Sequence, residues 1–159
     1  MEESYIRLLD ISGSGSHIQL GRDCLIYSIG CIIVYNDLIN DKILYIKHHR
    51  GLISGLHVFG HRLLSIDNTG MMVIWEIPSL KIFFQNTIPT VIDSAYIAFI
   101  EKNKFIIIAN SDNKQLFHLF EIGKQVNLIF STTLDASGAC IDMKYMEDGC
   151  FVILEERSI

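Results

Sequence analysis

Four of the chain's six histidines, His48, His49, His57 and His61, fall within 14 residues and are its densest concentration of chemically versatile side chains. The His57-x-x-x-His61 spacing occurs in zinc sites. On a strand, however, His57 projects away from the face that carries Leu56 and Val58, and His61 falls in the following turn. No cysteine stands close enough in sequence to complete a ligand set. The pattern therefore predicts no metal centre, with His49 structural and its neighbours solvated. Nucleophilic chemistry has as little support: no serine sits in a G-x-S-x-G elbow, no Cys–His signature occurs, and the carboxylates are scattered. Gly13-Ser-Gly-Ser16 lacks the lysine, the later glycine and the helix that a phosphate loop needs, and reads as a turn. One local cationic concentration remains, Lys47-His48-His49-Arg50 with His61-Arg62 one hairpin away. If the strand ends of one unit gather at one rim, Lys47, His48, Arg50, His61 and Arg62 are candidate contacts for an acidic partner or RNA phosphate.

The elements that must position these residues are strands. Short β-branched and aromatic runs alternate with Gly, Asn, Asp and Ser clusters, and helical periodicity is nearly absent. Two series of markers recur. The endings Ile33-Val-Tyr-Asn36, Val73-Ile-Trp-Glu76 and His118-Leu-Phe-Glu121 place Tyr35, Trp75 and Phe120 at intervals of 40 and 45 residues. The openings Ile18-x-Leu20, Leu56-x-Val58, Ile97-x-Phe99 and Met143-x-Tyr145 recur at 38, 41 and 46 residues. One supersecondary unit is being repeated. Its strands are expected at Ser16–Leu20, Cys24–Ile29, Cys31–Tyr35 and Lys42–Lys47, then at Ile53–Val58, Arg62–Ile66, Met72–Ile77 and Lys81–Thr87. The third set is Ser94–Ile100, Lys104–Asn110, Gln115–Ile122 and Val126–Thr132. A fourth unit begins with Ala139–Met146 and Phe151–Glu155. Asp67-Asn-Thr-Gly70, Ser111-Asp-Asn-Lys114 and Asp148-Gly149 supply the turn chemistry between strands. The units are 5–47, 48–88, 89–134 and 135–159, the last lacking two strands, and Tyr5–Leu9 is a candidate outer strand of a further blade.

Composition narrows the function class. Half of the 159 residues are apolar and the mean hydropathy is +0.33, yet no apolar run approaches the roughly 18 residues needed to span a bilayer. The net charge of −5 argues against a chain built mainly to coat nucleic acid. Met1-Glu-Glu-Ser-Tyr5 does not resemble a secretory signal, and Cys24, Cys31, Cys140 and Cys150 form no C-x-x-C pair. Reduced thiols and a cytoplasmic or nuclear location are expected.

Around the second unit the sequence resembles the WD40-repeat family. His48-His49 stands where that family has Gly-His, and Trp75-Glu76 stands for its Trp-Asp. The resemblance implies all-β propeller blades, about four four-stranded antiparallel units, in which His49, Ser65 and Trp75 belong to a buried network that pins blade geometry. The family's aspartate position falls on Thr69, with Asp67 and Asn68 nearby, so the network is expected to be incomplete. Blades bury their faces by stacking, and closed rings of this family commonly have seven. The expectation is therefore part of a larger propeller, ahead of a half-ring that pairs with another chain or an unusually small ring.

Two families share more than the generic repeat. Val58–Asp67 through Trp75-Glu-Ile77 resembles the WD-repeat subunit of the U3 small-nucleolar particle, which processes ribosomal RNA. Tyr96–Phe99, Phe117–Ile122, Leu128-Ile-Phe130 and Ile141–Tyr145 to Leu154 resemble the non-catalytic WD-repeat subunit of the tRNA guanine-N7 methyltransferase. Ile26–Cys31 is also similar to the first units of cytoskeletal and ciliary WD-repeat proteins. Together these imply a non-catalytic scaffold within a multiprotein complex, with protein subunits as partners and RNA reached through a partner complex. No cofactor, membrane contact or small-molecule substrate is expected.

Overall fold

The structure, a computed structural model, describes residues 18–20, 23–101, 103–112, 114–134, 140–145 and 151–155, with side-chain environments for 23–100, 103–112 and 114–134. Candidate features at Tyr5–Leu9, Gly13–Ser16 and Asp148–Gly149 lie outside those residues.

Among the described residues fourteen strands run in chain order: β1 (Ile18–Leu20), β2 (Cys24–Ile29), β3 (Ile32–Asp37), β4 (Lys42–Lys47), β5 (Ile53–Phe59), β6 (Arg62–Asp67), β7 (Met71–Glu76), β8 (Lys81–Thr87), β9 (Ser94–Glu101), β10 (Lys104–Ser111), β11 (Lys114–Ile122), β12 (Val126–Leu134), β13 (Cys140–Tyr145) and β14 (Phe151–Glu155). They form three four-stranded sheets, β1–β4, β5–β8 and β9–β12, and a β13–β14 pair, every pairing antiparallel. The described residues contain no helix. The strand boundaries shift where turn geometry overrides propensity. β3 starts at Ile32 because Gly30, at φ +60°, and Cys31 form the tight turn from β2. Similarly, β7 ends at Glu76 because Ile77 already belongs to the next turn, its N–H bonded to the His61 carbonyl.

Each sheet stacks on the next, and the inner strands β1, β5, β9 and β13 stand side by side. Cys24, Ile26, Ile33 and Tyr35 of the first sheet pack against Leu56, Leu63, Val73 and Trp75 of the second. The opposite face of the second sheet, with Leu64, Ile66, Met72 and Ile74, meets Ile97, Phe105, Ile107 and Phe120 of the third. Ala98, Ile106, Ile108 and Phe117 are buried on the third sheet's far face. Strands sandwiched on both sides cannot alternate apolar and polar residues, which is why β6, β7 and β10 read as nearly continuous apolar runs. Each fully buried Ile, Leu or Val side chain contributes about 1.5–3 kcal/mol. The outer strands β4, β8 and β12 see water and carry the mixed composition.

Close stacking also explains Gly55 on β5. A Cβ there would stand 2.7 Å from the Ala95 carbonyl oxygen on β9. Any larger residue would force two blades apart.

Candidate functional site

The polar centre of the molecule is built on β6. Residues two apart on a strand share a face, so Leu63, Ser65 and Asp67 project together toward the first sheet. Leu63 pairs with Trp75 on β7. The link from β4 to β5 lays His49 over this row. His49 Nδ1 is 3.1 Å from Asp67 Oδ2 and its Nε2 is 2.7 Å from Ser65 Oγ. Trp75 Nε1 donates to Ser65 Oγ at 2.8 Å.

Asp67, not Thr69, is the network's carboxylate, so the network is complete in this blade. The spacing rule misplaced it because it counted into the turn. Asp67 is the last residue of the strand itself, and its Oδ1 reaches forward over the turn to accept from Thr69 N–H at 2.9 Å, Thr69 Oγ1–H at 2.6 Å and Met71 N–H at 3.1 Å. Its Oδ2 also accepts from Gly51 N–H at 3.3 Å. The signal for it lay in the period of two that separates Ser65 from Asp67.

Burial alone would raise the Asp67 pKa. Hydrogen bonds from Thr69, His49, Gly51 and Met71 outweigh that and hold it below the ordinary carboxylate value of 3.8. Burial lowers the His49 pKa below 6.5 against the opposing pull of Asp67. The pair is thus an ionised carboxylate and a neutral imidazole. Asp67 can only accept, so Nδ1–H donates to it and Nε2 accepts the Ser65 hydroxyl proton. Ser65 Oγ in turn accepts from the indole. Every polar atom along Trp75–Ser65–His49–Asp67 is satisfied.

The order Ser–His–Asp is that of a hydrolytic triad. Catalysis would require the hydroxyl to meet a substrate carbonyl beside an oxyanion site. Ser65 and Asp67 are both 0% exposed, and the hydroxyl already has three partners, His49, Trp75 and the Val73 carbonyl at 3.4 Å. Their arrangement fixes sheet geometry and cannot reach a substrate. The third blade fills the same positions differently. Its cross-strand pair Phe105–Phe120 matches Leu63–Trp75 and, like it, faces the preceding sheet, so the Ser and Asp positions lie two and four residues beyond Phe105. The third sheet has Ile107 and Ala109 there, both within the apolar core. Tyr35 lies on the face of the first sheet that packs against the second, and its phenol is pushed up to about 12, mainly by burial, with Cys24 and Asp37 adding to the effect.

The cationic candidates do not form one patch. Ile53 pairs with Asp67 at one end of the second sheet, whereas Phe59 pairs with Arg62 at the other. Lys47, His48 and Arg50 precede the first end. His61 and Arg62 sit in the turn at the second, about 20 Å away along the seven-residue β5. Antiparallel strands return alternate loops to opposite rims, which corrects the expectation of a single basic face. His48 turns inward, with Nε2 2.8 Å from Gln85 Oε1 and its ring edge-on to Trp75 at 5.3 Å. The Arg62 guanidinium lies 4.9 Å over the Phe83 ring. Lys47 and Arg50 are exposed.

His57 is a further correction. It is half-buried, not solvated, and stacks on Phe99 of the next blade at 5.9 Å. Among the polar pairs that escaped the sequence reading, His118 Nδ1 lies 2.9 Å from the exposed Ser131 Oγ across β11 and β12. Adjacent-strand register brings them together, and only tertiary pairing reveals it. The buried Nε2 of His118 has no hydrogen-bond partner among the described residues, so none of these supplies an acid to orient the imidazole as a triad would require.

No protein-family model matches the chain, and no curated protein matches it. Among solved structures, the computationally designed Ika4 protein aligns with a TM-score of 0.66 at 14% identity, over 92% of this chain and 95% of Ika4. U3-55K aligns at 0.65 and 17% identity, over 82% of this chain and 43% of its own. The β-propeller domain of Myceliophteria thermophila Cps50 (Swd1) aligns at 0.60 and 17% identity, over 80% of this chain and 39% of that domain. The chain thus spans less than half the length of the latter two. At these identities the likeness is one of fold: the sheets are stacked β-propeller blades.

Proposed function

We propose that this chain is a non-catalytic interaction scaffold. Its stacked blades hold two rims of loops rigidly, for protein subunits of a multiprotein complex in the cytoplasm or nucleus, with RNA met through a partner. The observation that carries this reading is where the chemistry went. The one Ser–His–Asp arrangement among the described residues is sealed inside the second blade, while the strand-end loops, with Lys47, Arg50 and Leu52, face water. Propellers are suited to this work because a ring of short sheets fixes loops without spending surface on edges.

The experiment is affinity purification of the tagged chain with quantitative mass spectrometry, with and without ribonuclease. Stoichiometric protein partners that resist ribonuclease are expected. Recovery of a methyltransferase-like protein would select the tRNA-modifying assembly, and recovery of nucleolar particle subunits the ribosomal RNA-processing one. Recovery of the chain alone, or only of RNA-dependent contaminants, overturns the scaffold reading.

A further inference from the structure

The rim that holds Lys47 and Arg50 also presents three branched aliphatic side chains to solvent: Ile29 is 57% exposed, Leu52 61% and Val91 67%. Single exposed aliphatic residues are ordinary, so contiguity is what matters. Ile53 N–H donates to the Gly30 carbonyl at 2.9 Å, seating the β4–β5 link on the β2–β3 turn. A Cβ placed on Gly30 would stand 3.9 Å from Leu52 Cδ2. Asn68, in the β6–β7 turn, then joins this link to the next. Its Oδ1 accepts from Leu52 N–H at 3.0 Å, and its own N–H donates to the Leu52 carbonyl at 2.8 Å. Its carbonyl accepts from Ile92 N–H at 3.0 Å. Ile29, at the end of β2 beside the β2–β3 turn, and Leu52 and Val91, on the two following links, therefore stand along one rim of hydrogen-bonded loops.

Charge gives the rim a direction. Lys47 and Arg50 are exposed at its first-blade end, and neither forms an ion pair with a described residue. Exposed Asp93, two residues beyond Val91, marks the third-blade end.

We propose that this rim docks an extended segment of a protein partner, with aliphatic or aromatic anchors over Ile29, Leu52 and Val91 and carboxylates over Lys47 and Arg50. This rests on the scaffold reading and narrows it to one rim and one ligand chemistry. Charge complementarity selects the occupant. A carboxylate meets the Arg50 guanidinium in bidentate fashion, and apolar anchors shield that contact from water, where rim charges alone chiefly set on-rate and register. RNA is the less suitable polyanion. It gains nothing from three aliphatic groups, finds no exposed aromatic among these rim residues for base stacking, and meets Asp93 at one end.

The test is selection of short random displayed peptides on the full chain, followed by fluorescence anisotropy with the selected peptide and, separately, with an oligouridine probe at matched salt. Peptides pairing Asp or Glu with Leu, Ile or aromatic residues are expected to be enriched. Leu52→Asp and Arg50→Glu should each weaken binding by about tenfold or more, with thermal melting unchanged because both are surface positions. His61→Glu, on the opposite rim, should leave affinity intact. Three results would overturn the proposal: no acidic–apolar enrichment, binding indifferent to both rim substitutions, or oligouridine bound through Lys47 and Arg50 in preference to any peptide. If Leu52→Asp still purifies with its full set of partners, this rim assignment falls while the scaffold reading stands. A chain that purifies with no partner at all removes the scaffold reading itself.

Discussion

Asp67 accepts five hydrogen bonds from four residues, His49, Gly51, Thr69 (two) and Met71. A side chain so engaged makes a sharp test of the buried network. Ser65→Ala removes the acceptor for the Trp75 indole and the donor to His49 Nε2, stranding two polar atoms in a dry interface. The expected cost is about 1–3 kcal/mol for each orphaned group. Asp67→Ala should cost more, since it releases the β6–β7 turn as well as the imidazole. Urea denaturation monitored by tryptophan fluorescence measures both, with Trp75 as the chain's sole tryptophan. A Ser65→Ala midpoint indistinguishable from the parent would remove the network from the account of stability. The same residues show how far sequence reading reached. His49, Ser65 and Trp75 were legible from family spacing. Asp67 was passed over because a fixed count along the chain ignores where a strand ends.

At the level of the element, two glycines set how tightly blades and turns close. Gly70 has φ +83°, and an added Cβ would collide with the Ile88 carbonyl. Gly55 is confined less severely, a Cβ there standing 2.7 Å from the Ala95 carbonyl oxygen on β9. Gly55→Ala leaves backbone dihedrals unstrained and tests contact alone: β5 and β9 must separate by some tenths of an ångström, at a cost of roughly 1–3 kcal/mol. Gly70→Ala adds the left-handed backbone penalty of about 1–2 kcal/mol and should be the more damaging. Thermal melts of the two variants check the order. An unperturbed Gly55→Ala would mean that the inner strands are less closely packed than the geometry requires. Strand positions themselves were readable from alternating runs and turn residues, and the shifts at β3 and β7 came from backbone turns that hydropathy does not report.

Among the described residues, three imidazoles in separate places, two buried and one half-buried, respond to acid together. His49 lies between the first and second blades, His57 stacks between the second and third, and His118 lies within the third. Burial lowers each pKa below 6.5. Below that value the unfolded chain binds protons that the folded chain refuses, so stability must fall as pH falls. Asp67 acts in the same direction at lower pH. Its depressed pKa gives stability that is present above about 3.8 and lost as pH drops through the folded value. Urea midpoints should therefore decline steadily from about pH 7.5 to about pH 5, and His57→Phe should flatten that slope. A midpoint independent of pH across this interval would contradict lowered pKa values at the three rings.

The sequence by itself determined the repeated unit and its all-β character. Those properties depend on spacing along the chain, where strand periodicity and turn chemistry act locally. Tertiary structure alone decided that Lys47 and Arg50 part company with His61 and Arg62, that His57 packs on a neighbouring blade, and that Ile29, Leu52 and Val91 share one rim. Antiparallel pairing sends successive loops to opposite ends of a sheet, and stacking joins loops from different sheets. Neither relation can be counted along the chain.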